Sequence, residues 1–154
     1  MQQATIEPVS NDREILAFHV REQDFCIDIG HVREIRGYSK TTALPHTPDH
    51  VVGVINLRGN VIPVIDLSLR LGMEPTTPTP RHVIIITDFQ EMTTGLLVEG
   101  VSDINSVSAE QMRQAPELAA DGGRKFIEGV YVFEDRLIRA LDLKALLASD
   151  GDME

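Results

Sequence analysis

The 154-residue chain contains a single cysteine, Cys26, and no tryptophan. One thiol cannot build an internal disulfide framework, and such a composition fits a reducing compartment. No apolar run approaches the roughly 20 residues that a helix needs to cross a bilayer. The N-terminus, Met1 to Glu7, has neither the basic start nor the apolar stretch of a signal peptide. The expectation is a cytoplasmic protein with no direct membrane insertion. Positive charge is also scarce: 14 Lys and Arg stand against 24 Asp and Glu, a formal net charge of −10. Phosphate binding relies on clustered cations, so nucleic acid is not an expected partner. Part of the acidity sits in residues 148–154, read as a solvated tail, and the remaining excess favours solubility.

Catalytic signatures are missing as well. No GxGxxG follows a strand, no GxxxxGK[ST] exists, and no GxSxG elbow occurs. His46 and His50 have the i, i+4 spacing of a zinc pair, but Pro45 and Pro48 deny them a helix and no third ligand is near in sequence. They are expected to be surface-loop residues, with no metal and no cofactor. Cys26 alternates with Phe25 and Ile27, the pattern of a small half-buried strand residue and not of a nucleophile. Asp66 and Asp142 each follow a strand and precede a short apolar turn. Both are expected to cap helix N–H groups, worth about 1 kcal/mol each, and not to act as a catalytic pair.

What the chain does contain is a duplication. Gly53 to Leu67 returns, shifted by 76 residues, as Gly129 to Leu143: Gly53 meets Gly129, Val54 meets Val130, Ile62 meets Ile138, and Asp66-Leu67 meets Asp142-Leu143. Each copy reads as strand, tight turn, strand and the start of a short helix, which suggests two related β-modules in one domain. Upstream, Val101-Ser-Asp-Ile104 echoes Val32-Arg-Glu-Ile35 at a slightly different offset. Glu14 to Val20 and Gln23 to Ile29 read as strands joined by a hairpin tip at Arg21-Glu22. Val51 to Leu57 and Arg81 to Thr87 read as strands apolar on both faces, the latter pairing with Thr94 to Val98. Gly59-Asn60 is expected to supply the positive φ angles of a hairpin, and Pro63 to place its strand at an edge or bulge. Met73 to Pro80, with three prolines, reads as an exposed connector, Ser108 as a cap, and Gly122-Gly123 as a flexible loop.

The two turns of the duplication differ, and the difference points to function. Leu57-Arg58-Gly59-Asn60 carries a guanidinium at a hairpin tip, suited to two-point pairing with a carboxylate. Glu34, near the corner of the first module, is its natural partner, either within the protein or across an interface. A surface salt bridge worth about 0–1 kcal/mol is the alternative.

Val32-Arg-Glu-Ile-Arg-Gly-Tyr38, Gly53-Val-Ile-Asn-Leu-Arg-Gly59, Ile62-Pro-Val-Ile-Asp-Leu67 and Val98-Glu-Gly-Val-Ser-Asp-Ile104 closely resemble the CheW family of bacterial chemotaxis coupling proteins. The likeness spans residues 14–147, a single domain between an N-terminal segment, 1–13, and the acidic tail, 148–154. It implies an all-β fold of two five-stranded SH3-like β-barrels, interleaved and packed on a shared hydrophobic core, with short helices. It also implies a non-enzymatic scaffold that joins the cytoplasmic tips of chemoreceptors to the regulatory domain of the histidine kinase CheA at membrane-associated arrays. Rings that include CheW–CheW contacts are a further implied assembly. By position, Glu34 and Arg58 match the family's acidic and arginine residues important for coupling. Val32, Gly53, Ile84 and Val101 match positions linked to receptor recognition along the groove between the barrels. A pili or surface-sensing receptor–kinase pathway is the alternative setting. Two other classes stay open on residues alone: a small enzyme at the module junction, which needs a pocket of converging titratable groups, and a peptide-binding module using sheet edges near Pro63.

Overall fold

In the computed structural model, residues 12–114, 125–133 and 135–148 are described. Gly122-Gly123 and Glu134 of the last turn lie outside them. The strands are β1 (Asp12–Val20), β2 (Gln23–Asp28), β3 (Val32–Gly37), β4 (Val51–Leu57), β5 (Asn60–Asp66), β6 (Val83–Phe89), β7 (Met92–Val98), β8 (Gly100–Ser108), β9 (Ile127–Phe133) and β10 (Arg136–Leu141). Helix α1 (Leu67–Arg70) follows β5, and α2 (Leu143–Leu147) follows β10.

These strands form two five-stranded sheets, β3-β6-β7-β5-β4 (the first module) and β8-β1-β2-β10-β9 (the second). In both, hairpin partners run antiparallel and one parallel pair closes the order: β5 with β7, β10 with β2. The arrangement is SH3-like, but neither sheet closes hydrogen-bonded into a full barrel, because β3 and β4, like β8 and β9, remain edges. The duplication is exchanged between the sheets. The first half of the chain gives β1 and β2 to the second module and β3, β4 and β5 to the first. The second half gives β6 and β7 to the first module and β8, β9 and β10 to the second.

This exchange explains the strands that are apolar on both faces. Successive side chains of a strand point to opposite sides. On β6, Ile85 faces the core shared by the modules, while Ile84 and Ile86 face the interior of the first module. On β1, Leu16, Phe18 and Val20 enter the shared core, while Ile15 and Ala17 enter the interior of the second. Three apolar clusters result, and each large side chain in them contributes about 1.5–3 kcal/mol by leaving water. Cys26 is fully buried, more deeply than the half-buried position expected from its alternation, because β2 is an interior strand covered on both faces. Burial above all, with Glu128 adding, pushes its thiol pKa up to about 12, which keeps it protonated at neutral pH.

Arginines stitch the modules together. From the β1–β2 turn, Arg21 donates to Ser68 Oγ (3.1 Å) on α1 and to the carbonyls of Glu74 (3.0 Å) and Pro75 (2.8 Å). Arg70, ending α1, donates to the carbonyls of Leu146 (3.0 Å) and Ala148 (2.7 Å) at the end of α2 and lies over the Phe126 ring. A cation at a helix C-terminus satisfies carbonyls that have no intrahelical partner.

Three local expectations change. The left-handed turn residues are Arg58 (φ 52°) and Gly59 (φ 89°), one position earlier than expected, because Leu57 pairs with Asn60 across a two-residue loop. Arg21-Glu22 and Gln90-Glu91 build the same kind of turn. Pro63 lies on an interior strand, not an edge: it pairs with Val54 on β4, and the ladder to β7 starts only at Val64, so its missing N–H breaks no bond there. Asp142 caps α2 through Ala145 N (3.3 Å), but Asp66 makes no cap. Its buried carboxylate instead accepts from Thr76 N (2.7 Å) and Thr76 Oγ1 (2.6 Å), pinning the proline-rich connector. Ser108 caps the short 3-10 turn after β8 as expected, in a reciprocal box with Gln111.

Candidate functional site

The β4–β5 hairpin projects Arg58 at its tip with the side chain 60% exposed. Arg58 Nη2 donates to Glu34 Oε1 on β3 at 2.9 Å. Since β3 and β4 are the two open edges of the first module, this bond crosses the seam where the barrel does not close. Arg36, two residues along β3 and therefore on the same face, donates to the other oxygen, Glu34 Oε2, at 3.3 Å. The hydrogen bond from Arg58 is the main cause that holds the Glu34 carboxyl below its ordinary value, with Arg36 assisting against partial desolvation. Glu34 is therefore charged at neutral pH, and each oxygen is held by a cation; the Arg58 side chain is exposed, whereas Arg36 Nε is buried and makes no hydrogen bond. The result is a preoriented charge cluster at the seam, with Arg58 its most exposed member.

The other candidates occupy different environments. Val32 at the start of β3 and Val101 at the start of β8 are half-buried and rest against the shared core. They are counterparts in the duplication, one on an edge strand of each module. Gly53 is buried in β4 at φ +148°, and a Cβ there would come 2.5 Å from the carbonyl oxygen of Thr42. That closeness has a cause: Thr42 and Val54 exchange two backbone hydrogen bonds, 2.9 and 2.8 Å, as the preceding segment crosses the strand. Ile84 has no exposed surface and is packed inside the first module. The structure thus joins Glu34 and Arg58, sets Val32 and Val101 beside the shared core, and gives Gly53 and Ile84 no side-chain surface to offer.

A model of the CheW-like domain matches residues 14–151. The chain belongs to the CheW family. It is 47% identical over 137 residues to the probable chemotaxis protein CheW of Rhizobium etli, covering 89% of this chain and 88% of that one. It is 44% identical over 150 residues to the chemotaxis protein CheW of Rhizobium meliloti, covering 97% of each. In structure it resembles the crystal structure of scaffolding protein TtCheW from Thermoanaerobacter tengcongensis, with a TM-score of 0.82, 29% identity, and coverage of 94% of this chain and 92% of that one. The family is one of chemotaxis scaffolds and not of enzymes. No helix among the described residues is long and apolar enough to cross a membrane.

Sequence reasoning missed Arg36 as the second partner of Glu34. The signal was present, since residues i and i+2 of a strand share a face. It also missed Arg21 and Arg70, whose partners lie 47 to 78 residues away and leave no local trace.

Proposed function

We propose that this CheW-family chain is a cytoplasmic adaptor that couples chemoreceptor tips to the histidine kinase CheA and thereby sets kinase output in chemotaxis. The observation that carries this reading is the Arg58–Glu34–Arg36 cluster: paired charges on a hairpin tip and an edge strand, with Arg58 exposed and Glu34 and Arg36 partly so. Such clusters govern orientation and partner choice more than raw affinity. In this reading Glu34 and Arg58 form the charged contact to a partner. Val32 and Val101 offer apolar surface beside the shared core to a helical receptor tip. Gly53 and Ile84 act from beneath, by holding β4 and β6 in place. Coupling then means keeping receptor and kinase in one lattice, at membrane-associated arrays in which CheW–CheW contacts also take part, so that a small receptor shift biases the kinase between conformations.

The test is kinase output in a mixture of receptor signalling fragment and CheA, with and without this protein. Receptor-dependent activation is expected, and Arg58→Glu should abolish it while changing stability by no more than about 1 kcal/mol, the scale of an exposed ion pair. Full activation by folded Arg58→Glu protein would remove the charge cluster from the coupling surface. Failure of the wild-type chain to bind either partner would remove the reading altogether.

A further inference from the structure

Glu34 is held twice, and the two holds are unequal. Arg58 donates to Oε1 at 2.9 Å, in the usual range of a charge-assisted bond, whereas Arg36 Nη1 reaches Oε2 only at 3.3 Å. Arg36 Nε, bonded to the same carbon as that Nη1, is buried and has no hydrogen-bond partner. Guanidinium groups commonly meet carboxylates with two parallel N–H groups, and a buried donor without a partner is destabilising. Arg36 therefore carries an unused N–H close to a carboxylate whose other oxygen is taken by Arg58.

Arg58 is the cation free to leave. Its side chain is 60% exposed, against 38% for Arg36 and 28% for Glu34. The turn that carries it does not depend on its guanidinium: Gly59 N donates to Asn56 Oδ1 (3.0 Å), and Leu57 pairs with Asn60. Exposed ion pairs of this kind are weak, so their partners exchange at little cost. Arg36 instead belongs to the β3–β6 ladder, opposite Ile84. Charge then selects what approaches. The cluster of two cations and one anion has a net charge of +1, on a chain whose formal net charge is −10. A cation coming to Glu34 meets two guanidinium groups, whereas a carboxylate coming to Arg58 meets a net attraction.

We propose that this cluster works by ion-pair exchange: a carboxylate side chain of a docked protein takes the Arg58 guanidinium, and Arg36 closes on Glu34 through Nε and a second N–H. Neither carboxylate is then left without a cation. Arg58 is the contact residue, Arg36 is a positioning residue, and Glu34 stays an internal partner throughout. The docked carboxylate rests on the coupling reading; the takeover of Glu34 by Arg36 is a property of the chain alone.

Arg58→Ala imitates the capture of Arg58 by a partner. NMR of the full chain carrying it should show the Arg36 Nε–H signal moving downfield as that proton enters a charge-assisted hydrogen bond. The Glu34 carboxyl should rise above its wild-type pKa yet stay below the ordinary 4.5. Adding Arg36→Lys, which keeps the charge but lacks the planar fork, should raise it further. An Arg36 signal that does not move, or a double variant no different from Arg58→Ala, would overturn the exchange. For the docked carboxylate, CheA and the receptor signalling fragment are titrated separately against the full chain. Arg58→Ala should weaken binding of one of them by about fivefold or more. Glu34→Gln releases Arg58 and should bind that protein no less tightly than the wild type. Weaker binding by Glu34→Gln would overturn the proposal in favour of a partner cation on Glu34, and binding of both proteins unchanged by Arg58→Ala would overturn it too. If the wild type binds neither protein, the coupling reading and the docked carboxylate fall together, while the Arg36 signal still decides the exchange.

Discussion

The first module sets three charges across an open seam and pairs them: Arg58 and Arg36 each hold one oxygen of Glu34, while Arg36 Nε is buried without a hydrogen bond. The second module, built on the same ladder, leaves Glu128 without a cation partner among the described residues and Tyr131 Oη without a hydrogen bond. The backbone devices are shared nonetheless. Gly53 and Gly129 both let a preceding segment cross and exchange two hydrogen bonds, Thr42 with Val54 and Arg113 with Val130. What a duplicated ladder must keep is space for backbone at the crossings. The side chains at the seams and in the barrel interiors are free to diverge, and there the modules acquire different chemistry.

The comparison is broken most strongly by importing the second module's interior into the first. Ile86→Ala copies Ala17 into a packed core and should cost about 2–5 kcal/mol, read by denaturant unfolding. A loss under 1 kcal/mol would show that the first interior is no better packed than the second. The glycines sharpen the comparison at a smaller scale. Gly53→Ala meets fixed Thr42 backbone from a left-handed φ, and should cost at least about 1–3 kcal/mol. Gly129→Ala meets the Met112 side chain, which can turn away, although the carbonyl oxygen of Arg113 lies 2.8 Å off. It should cost less in the same unfolding experiment, and equal losses would show that the two crossings are equally rigid.

The smallest effect is electrostatic, and its sign differs between the modules. Glu34 has a folded pKa below its ordinary 4.5, so its contribution to stability is present above that value and is lost as pH falls through the folded pKa. Glu128 has a raised folded pKa, so its contribution is present below 4.5 and is lost as pH rises through the folded value. Carboxyl carbon NMR titration should find the two glutamates on opposite sides of 4.5. Arg58→Ala should move Glu34 upward and leave Glu128, whose neighbours are Asp142, Arg13 and Asp28, where it was.

Much of this was legible from local pattern. Period-two alternation marked the strands, paired turn residues marked the hairpins, and the repeated Gly and Asp-Leu marked the copies. The Arg58–Glu34 pair was legible because turn and corner each stood out in sequence. The inward position of Ile84 was hidden, because a strand buried on both faces gives one unbroken apolar run that does not say which core each residue enters. Asp66 and Asp142 look equivalent in sequence, yet they part company because only Asp66 has Thr76 of the connector within reach.

By itself the sequence determined the β-class, the two-copy ladder and the guanidinium at an exposed hairpin tip, since each depends on residues within one turn or one strand. Tertiary structure alone decided the exchange of strand pairs between modules, the seam that Arg58 and Glu34 span, and the burial of the Tyr131 hydroxyl. Each of these depends on strand order between distant segments. That order follows from burying both faces of β1, β2, β6 and β7 at once, which is a property of the whole chain and of no local stretch.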